Sequence, residues 1–421
     1  MWVLATTRVV SRIKRTIALM CIYCYNKNLP APAAKLNIVM NPNELIDLGN
    51  QHRADHRPHE ALKCYAQVFV EHPDFAPAWN NYGNVMRECG YPERAIPFLQ
   101  HAAVLDPNNI TTRFNLAVAY LLSGDYARGW PAYEARWDYE HLAGTLPNLD
   151  KPRWQGEDLK GKTILVVGEQ GHGDNIQFVR FLYPLHLAGA KIKLQVTDAL
   201  VPLMYPGTVI SQVGRYSDDM GDFDYWTPIM SIAGIIGVTL DRLPKVISYL
   251  NADKALEREW LQRLGPKTRM RIGFSWSGRP DSWLNQHKAV PFEKMLDLIR
   301  STPQYEWINL QVDATPEQEA AMAAAGVTMY PGTVNSFLDT ASLMTHMDIV
   351  LSVDTAVSHL AAALGRPAWI MLNAFATDWR WLLNRDDSPW YSTARLFRQP
   401  SMGDWDSVLK KVEQYLKWYK V

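Results

Sequence analysis

Asp354-Thr355-Ala356-Val357-Ser358-His359-Leu360-Ala361-Ala362-Ala363-Leu364-Gly365-Arg366-Pro367 lies between two apolar runs, Met347-Asp348-Ile349-Val350-Leu351-Ser352-Val353 before it and Ala368-Trp369-Ile370-Met371-Leu372 after it. The flanking runs read as buried strands, and the small residues between them as a short, tightly packed helix. Asp354 and Thr355 sit at the strand exit, where either can cap that helix. A helix start there aims free N–H groups at whatever binds, and in an open α/β sheet a phosphate occupies that position. An ordinary capped strand–helix–strand unit explains the same residues equally well, so this stretch alone fixes the fold class and leaves the ligand open.

A second stretch repeats the pattern. Thr163-Ile164-Leu165-Val166-Val167 is a β-branched run that ends in Gly168-Glu169-Gln170-Gly171-His172-Gly173-Asp174-Asn175. Ile176, Phe178, Val179, Phe181, Leu182 and Leu185 then recur at helical spacing. Strand, glycine-rich turn and helix follow one another, although Gly171 and Gly173 do not complete G-x-G-x-x-G. The glycines admit a close approach of backbone to ligand. Asp174 falls at the helix start, facing the opening, as an N-cap or as a reacting carboxylate.

Together these motifs resemble those of glycosyltransferase family nine, the lipopolysaccharide heptosyltransferases, and more closely the proteins that join tetratricopeptide repeats to such a domain. Asp378-Trp379-Arg380-Trp381-Leu382-Leu383 and Asp387-Ser388-Pro389-Trp390-Tyr391 are similar to that subgroup as well. The resemblance covers roughly residues 42–420. It implies a GT-B fold of two Rossmann-like domains and transfer of a sugar from a nucleoside-diphosphate donor, inverting and without a metal or other cofactor. It identifies Asp174 as the catalytic base. Gly171, Gly173, Ser277, Lys288, Gln311, Asp354, Thr355, Ala356 and His359 are the expected nucleotide-sugar contacts. Lys288, in Gln286-His287-Lys288-Ala289-Val290-Pro291, corresponds to a lysine that meets the donor phosphate, though the aromatic that often follows it is missing. Thr355 and Ala356 offer amides and a helix dipole to the diphosphate. Asp354, a like charge, fits better as an orienting group or a partner for a sugar hydroxyl. His359 reads as a packed residue as readily as a ligand contact. The carboxylates form no Asp-x-Asp metal pair.

Ahead of this lies a period of 34 residues. Trp79, Tyr82, Gly83, Ala95, Leu99, Ala102 and Pro107 occupy tetratricopeptide positions. Leu45, Leu48, Gly49, Ala61, Tyr65, Val68 and Pro73 repeat them one period earlier, and Leu116, Ala117, Gly129 and Tyr133 begin a weaker third unit ending near Trp137. Three units suffice for a stable stack, with a short concave face for a peptide or a purely supporting role. The expected organisation is a disordered extension at 1–40; repeats at 41–140; a linker at 141–160; Rossmann-like domains at 161–260 and 268–400; and a terminal helix at 401–421. Strands are expected at 191–196, 209–213, 269–273, 307–310, 328–330 and 348–353. The terminal helix, apolar at Trp405, Val408, Leu409, Val412 and Leu416, is of the kind that crosses back to the first domain in GT-B folds.

Composition sets the outer limits. With 421 residues, 43 basic and 43 acidic side chains and 48% apolar content, the chain is a multidomain globular protein with no charge excess for nucleic acid or a membrane surface. Four cysteines make no disulfide framework, and Cys21-x-x-Cys24 has no second pair for zinc. Basic residues before Ile17 mimic a leader, but no small-x-small site follows, and the apolar run is too short to span a bilayer. A cytoplasmic protein is expected, with a nucleotide sugar, a glycan or protein acceptor and a protein held by the repeats as partners. Two alternatives stand beside this: an idle GT-B scaffold or carbohydrate-binding module, and a protein O-glycosyltransferase whose repeats grip a polypeptide acceptor.

Overall fold

The computed structural model describes residues 40–139, 142–204, 208–244, 246–278 and 285–419. The 1–40 extension, with Cys21 and Cys24, lies outside the described residues save for Met40. The chain divides into two compact units, one ending at Thr145 and the other starting at Leu146.

The first unit is three antiparallel helix pairs: α1 (Pro42–Ala54) with α2 (Pro58–Glu71), α3 (Ala76–Glu88) with α4 (Pro92–Leu105), and α5 (Ile110–Leu122) with α6 (Tyr126–Tyr133). Prolines open α1, α2 and α4, where no helical N–H is lost. The periodic residues Leu45, Tyr65, Val68, Trp79, Tyr82, Ala95, Leu99 and Ala102 are buried in one core. Phe69 stacks on Trp79 with ring centroids 4.4 Å apart. At Gly83 a Cβ would stand 2.7 Å from Leu99 Cγ, so the α3–α4 crossing needs glycine there. A chain of carboxamides ties the first helices of the three pairs together. Asn115 donates to Asn80 Oδ1 (3.1 Å), Asn80 to Asn81 Oδ1 (2.9 Å) and Asn81 to Asn50 Oδ1 (3.1 Å). Such linked polar groups specify register as well as stability.

The second unit holds two parallel sheets. In the first, β1 (Thr163–Val167), β2 (Lys191–Val196), β3 (Ile210–Arg215) and β4 (Tyr225–Pro228) run in the order β3-β2-β1-β4. In the second, β5 (Arg271–Ser275), β6 (Glu306–Asn309), β7 (Ile349–Val353), β8 (Ala368–Leu372) and β9 (Ala394–Arg398) run β6-β5-β7-β8-β9. The central strands β5, β7 and β8 are buried throughout, as strands covered on both faces must be. Helical repeats followed by two Rossmann-like halves is the architecture the sequence implies.

Several elements differ from expectation. β4 and β9 appear where no strand was expected. Thr328 meets Ile308 in a single bridge instead of a strand. The helix after Gly171 is broken: α7 (His172–Phe178) passes into a 3-10 turn at Val179–Phe181 before helix resumes at Leu182–Leu187. The second part of the 141–160 linker is held on the first sheet, with Trp154 N–H donating to Trp226 O (2.8 Å) and Trp226 Nε1 to Lys151 O (2.9 Å). The terminal helix, α13 in chain order after α8 (Lys254–Leu264), α9 (Phe292–Ser301), α10 (Pro316–Ala324), α11 (Phe337–Met344) and α12 (Ala356–Ala363), spans Trp405–Trp418. It does not return to the first sheet. Its apolar face joins the core of the second, and Lys294 and Tyr305 bond to it at Asp406 and Leu416 O.

Candidate active site

β1 delivers the chain into a turn that its own side chains lock. Asn175 is fully buried. Its Oδ1 accepts from Glu169 N–H (3.1 Å), and its amide donates to Glu169 O (2.9 Å) and Gly171 O (2.8 Å). Gln170 takes φ 57°, a left-handed conformation uncommon for a side-chain-bearing residue. Gly171 is the N-cap of α7, and Asp174 stands three residues on, its Oδ2 accepting from Gly171 N–H at 2.8 Å. The other oxygen, Oδ1, is bound by Arg380 from the second half.

Across the cleft β7 ends at Asp354, and α12 begins with Thr355 as its N-cap. Thr355 N–H donates to Ser358 Oγ (3.3 Å). Asp354 does not cap the helix. Its Oδ2 accepts from Lys288 Nζ at 2.6 Å, and its Oδ1 lies 3.8 Å from His359 Nε2. The starts of α7 and α12 abut: a Cβ on Gly173 would come within 2.8 Å of His359 Cδ2 and 3.6 Å of Ala356 Cα. Gly173 is therefore what lets the two halves meet. Gln311 Oε1 accepts from Ser275 Oγ (2.8 Å) and Ser277 N–H (3.3 Å), fixing the loop after β5.

The two turns and the loop after β5 face one cavity of about 610 Å³. It brings together every residue singled out from the sequence: Gly171, Gly173, Asp174, Ser277, Lys288, Gln311, Asp354, Thr355, Ala356 and His359. Among the further lining residues, Gln170, His172, Asp378 and Arg380 had no expected role. The Asp378-Trp379-Arg380 motif was legible, but nothing local told where its guanidinium points.

Charge in the cavity is tightly paired. Burial pushes the Asp174 carboxyl above its ordinary range, against the pull of Arg380 and Gly171 N–H. Burial also opposes charge on Asp354, but Lys288 and His359 outweigh it and hold that carboxyl low. Lys288 is raised because Asp354 and Asp378 overcome its desolvation. His359, desolvated between the halves, falls to about 4. It is therefore neutral near pH 7, with Nδ1 2.8 Å from Tyr391 Oη and its ring stacked on Trp381. The site thus sets the Asp174 carboxyl opposite a lysine, helix amides and a neutral histidine.

Two Rossmann-like halves meeting at such a cleft define an α/β architecture of the GT-B kind. Residues 314–371 match the model of glycosyltransferase family 9 (heptosyltransferase). Protein FlbA of Caulobacter vibrioides is 27% identical over 380 residues, 82% of this chain and 62% of its own. The chain thus spans less than two thirds of the length of that relative. A glycosyltransferase family 9 structure from Veillonella parvula aligns with 63% of this chain and 99% of its own at 13% identity, TM-score 0.49. The Sgt2 tetratricopeptide domain of Aspergillus fumigatus aligns with 26% of this chain and 87% of its own at 21% identity, TM-score 0.22.

Proposed function

We propose that the α/β unit transfers a sugar from a nucleoside-diphosphate donor to a hydroxyl of a glycan or protein, inverting the anomeric centre and needing no metal. The observation that carries this reading is the opposition, in one cavity, of the Asp174 carboxylate to Lys288 and the start of α12. Asp174 takes the proton from the acceptor hydroxyl as its oxygen bonds to the anomeric carbon. The bond from that carbon to the diphosphate oxygen breaks, and its electron pair leaves on the diphosphate. The amide of Ala356 and the dipole of α12 receive that charge, and Thr355, whose own N–H is held by Ser358 Oγ, sets the helix start. Lys288 has three donors, of which Asp354 takes one, so it can serve both. Asp354 orients Lys288 and His359. One positioned base contributes about 10²–10⁴ in rate.

Supporting this are the match to family 9 at 314–371 and the convergence of both motifs on one cavity. The repeats, in this reading, hold a polypeptide, either the acceptor or a partner. No described helix is long and apolar enough to cross a membrane, and a cytoplasmic pool of sugar nucleotides suits the donor. The test is thermal stabilisation by ADP-, UDP-, GDP- and CDP-sugars, followed by release of nucleoside diphosphate. A donor at 100 times its Kd adds about 2.7 kcal/mol. One observation favours an idle scaffold: Asp174 and Lys288 already possess counter-ions. That reading expects no stabilisation by any of the four.

A further inference from the structure

Arg380 belongs to the second half yet spends its guanidinium on the first. It donates to Asp174 Oδ1 and Gln177 Oε1, some 200 residues away in sequence. It is anchored at home by Asp378, whose Oδ2 lies 3.0 Å from Nη1, and by the ring of Trp379, 4.3 Å from its Cζ. Its side chain keeps only 6% exposure, and that of Asp174 19%, opening on the cavity. A second arginine makes the reciprocal crossing: Arg180 of the first half donates to Trp390 O (2.5 Å), its Cζ 4.5 Å from the ring of Tyr249 and 4.6 Å from that of Tyr391.

We propose that Arg380 is a positioning residue for the transfer, aiming the Asp174 carboxyl from the opposite half, an alignment that exists only while the halves are closed. The proposal rests on the reading of Asp174 as the base. A desolvated carboxylate deprived of its counter-ion takes up a proton, and a protonated base accepts none. Among the groups around Asp174, Asp378 and Glu169 press it toward protonation, and Arg380 with Gly171 N–H opposes them. His359, behind Gly173, is neutral, and Lys288 is engaged by Asp354. Arg380 is thus the cation seated on this carboxylate. If the halves parted, Asp174 would lose that cation and also the burial that raises it, so what closure adds is the aim of the carboxylate and not its charge.

The test uses the full chain labelled with carboxyl-¹³C aspartate, the Asp174 resonance being assigned by its loss in Asp174→Asn. In Arg380→Met the Asp174 titration should move up by about one unit or more. The acid limb of nucleoside diphosphate release, measured with the sugar nucleotide that stabilises the parent, should move with it. Arg380→Lys keeps a cation without the planar fork, so its titration should stay near that of the parent while turnover falls about tenfold at all pH. That variant also serves if Arg380→Met does not fold, since a turnover equal to the parent's would remove any need for the fork. An unmoved titration in Arg380→Met overturns the proposal. A moved titration in Arg380→Met, with Asp174→Asn releasing nucleoside diphosphate at the parent rate, confirms the hold of Arg380 on the carboxylate and overturns the base reading beneath it.

Discussion

Lys288→Met isolates the energetics of the buried pair at the cavity floor. Lys288 and Asp354 meet at 2.6 Å with side-chain exposures of 16% and 6%. Removing one partner of such a pair leaves an uncompensated charge, at a cost of about 3–5 kcal/mol. The lysine's residual exposure puts the expectation near the lower bound, about 3 kcal/mol. In a unit of this size that lowers Tm by about 6–12 °C. Replacing both partners, Lys288→Met with Asp354→Leu, should return most of the loss, because no charge is left buried. The sign of the pH response also changes. In the parent, Lys288 and His359 hold the Asp354 carboxyl below its ordinary value in spite of burial. Its contribution is therefore complete above the unfolded value and is lost as pH falls through the lower folded one. Without Lys288, burial dominates, the folded value rises above the unfolded one, and Asp354 destabilises as pH rises. His359, lowered by burial and secondarily by nearby cations including Lys288, then accepts a proton more readily and shields Asp354. Urea unfolding followed by tryptophan fluorescence at pH 5, 6 and 7 should show the gap between parent and Lys288→Met widening with pH. A gap that is constant, or below about 0.5 kcal/mol, would mean a screened surface bridge and refute the reasoning.

Asp174→Asn should lower turnover about 100-fold or more while the fold survives, since an amide oxygen still accepts from Gly171 N–H; parent-level turnover would remove Asp174 from the chemistry. Thr355→Pro replaces a residue at φ −142° with a ring fixed near −65° and deletes an amide. Calorimetric titration with the best of ADP, UDP, GDP and CDP should show affinity reduced about tenfold or more, and an unchanged Kd places the diphosphate elsewhere. Gly83→Ala sets a methyl 2.7 Å from Leu99 Cγ and should destabilise the repeats by about 1–3 kcal/mol. A far-ultraviolet circular dichroism melt identical to the parent's would show that the α3–α4 crossing yields freely.

What the sequence disclosed followed the range of the signal. β1 with α7, and β7 with α12, were legible because a strand of apolar residues, a small-residue turn and a helical period are all local. The repeats were legible because Trp79, Gly83 and Leu99 recur in register with their neighbours. β9 escaped because arginines stand at two of its five positions, so it lacks a continuous apolar run. β4 is four residues ending in proline. Thr328-Met329-Tyr330 has strand composition, but its partner Ile308 offers a single bridge. The residues named from the sequence line one cavity, while their pairings were not legible. Lys288 and Asp354 are 66 residues apart, and Arg380 and Asp174 are 206 apart. Such partners are set by how two sheets close on each other, and no local period encodes that. The apolar face of α13 was equally plain, but an amphipathic stripe does not say which core it will join.

That choice by α13 makes each sheet a continuous stretch of chain. The first sheet's strands end at Pro228, and every strand of the second, with its covering terminal helix, follows Arg271. The polypeptide passes from one to the other a single time, and the strap that carries it is bonded to the second half through Tyr249 N–H and Ala363 O (3.0 Å). Contiguous folding units close their contacts without waiting for distant chain, so the repeats, the first sheet and the second can form in the order in which they leave the ribosome. A backbone nick just ahead of that strap would leave both sheets with all their strands. Two fragments expressed separately then carry everything needed to reassemble one cavity, joined by the crossed arginines instead of by a peptide bond.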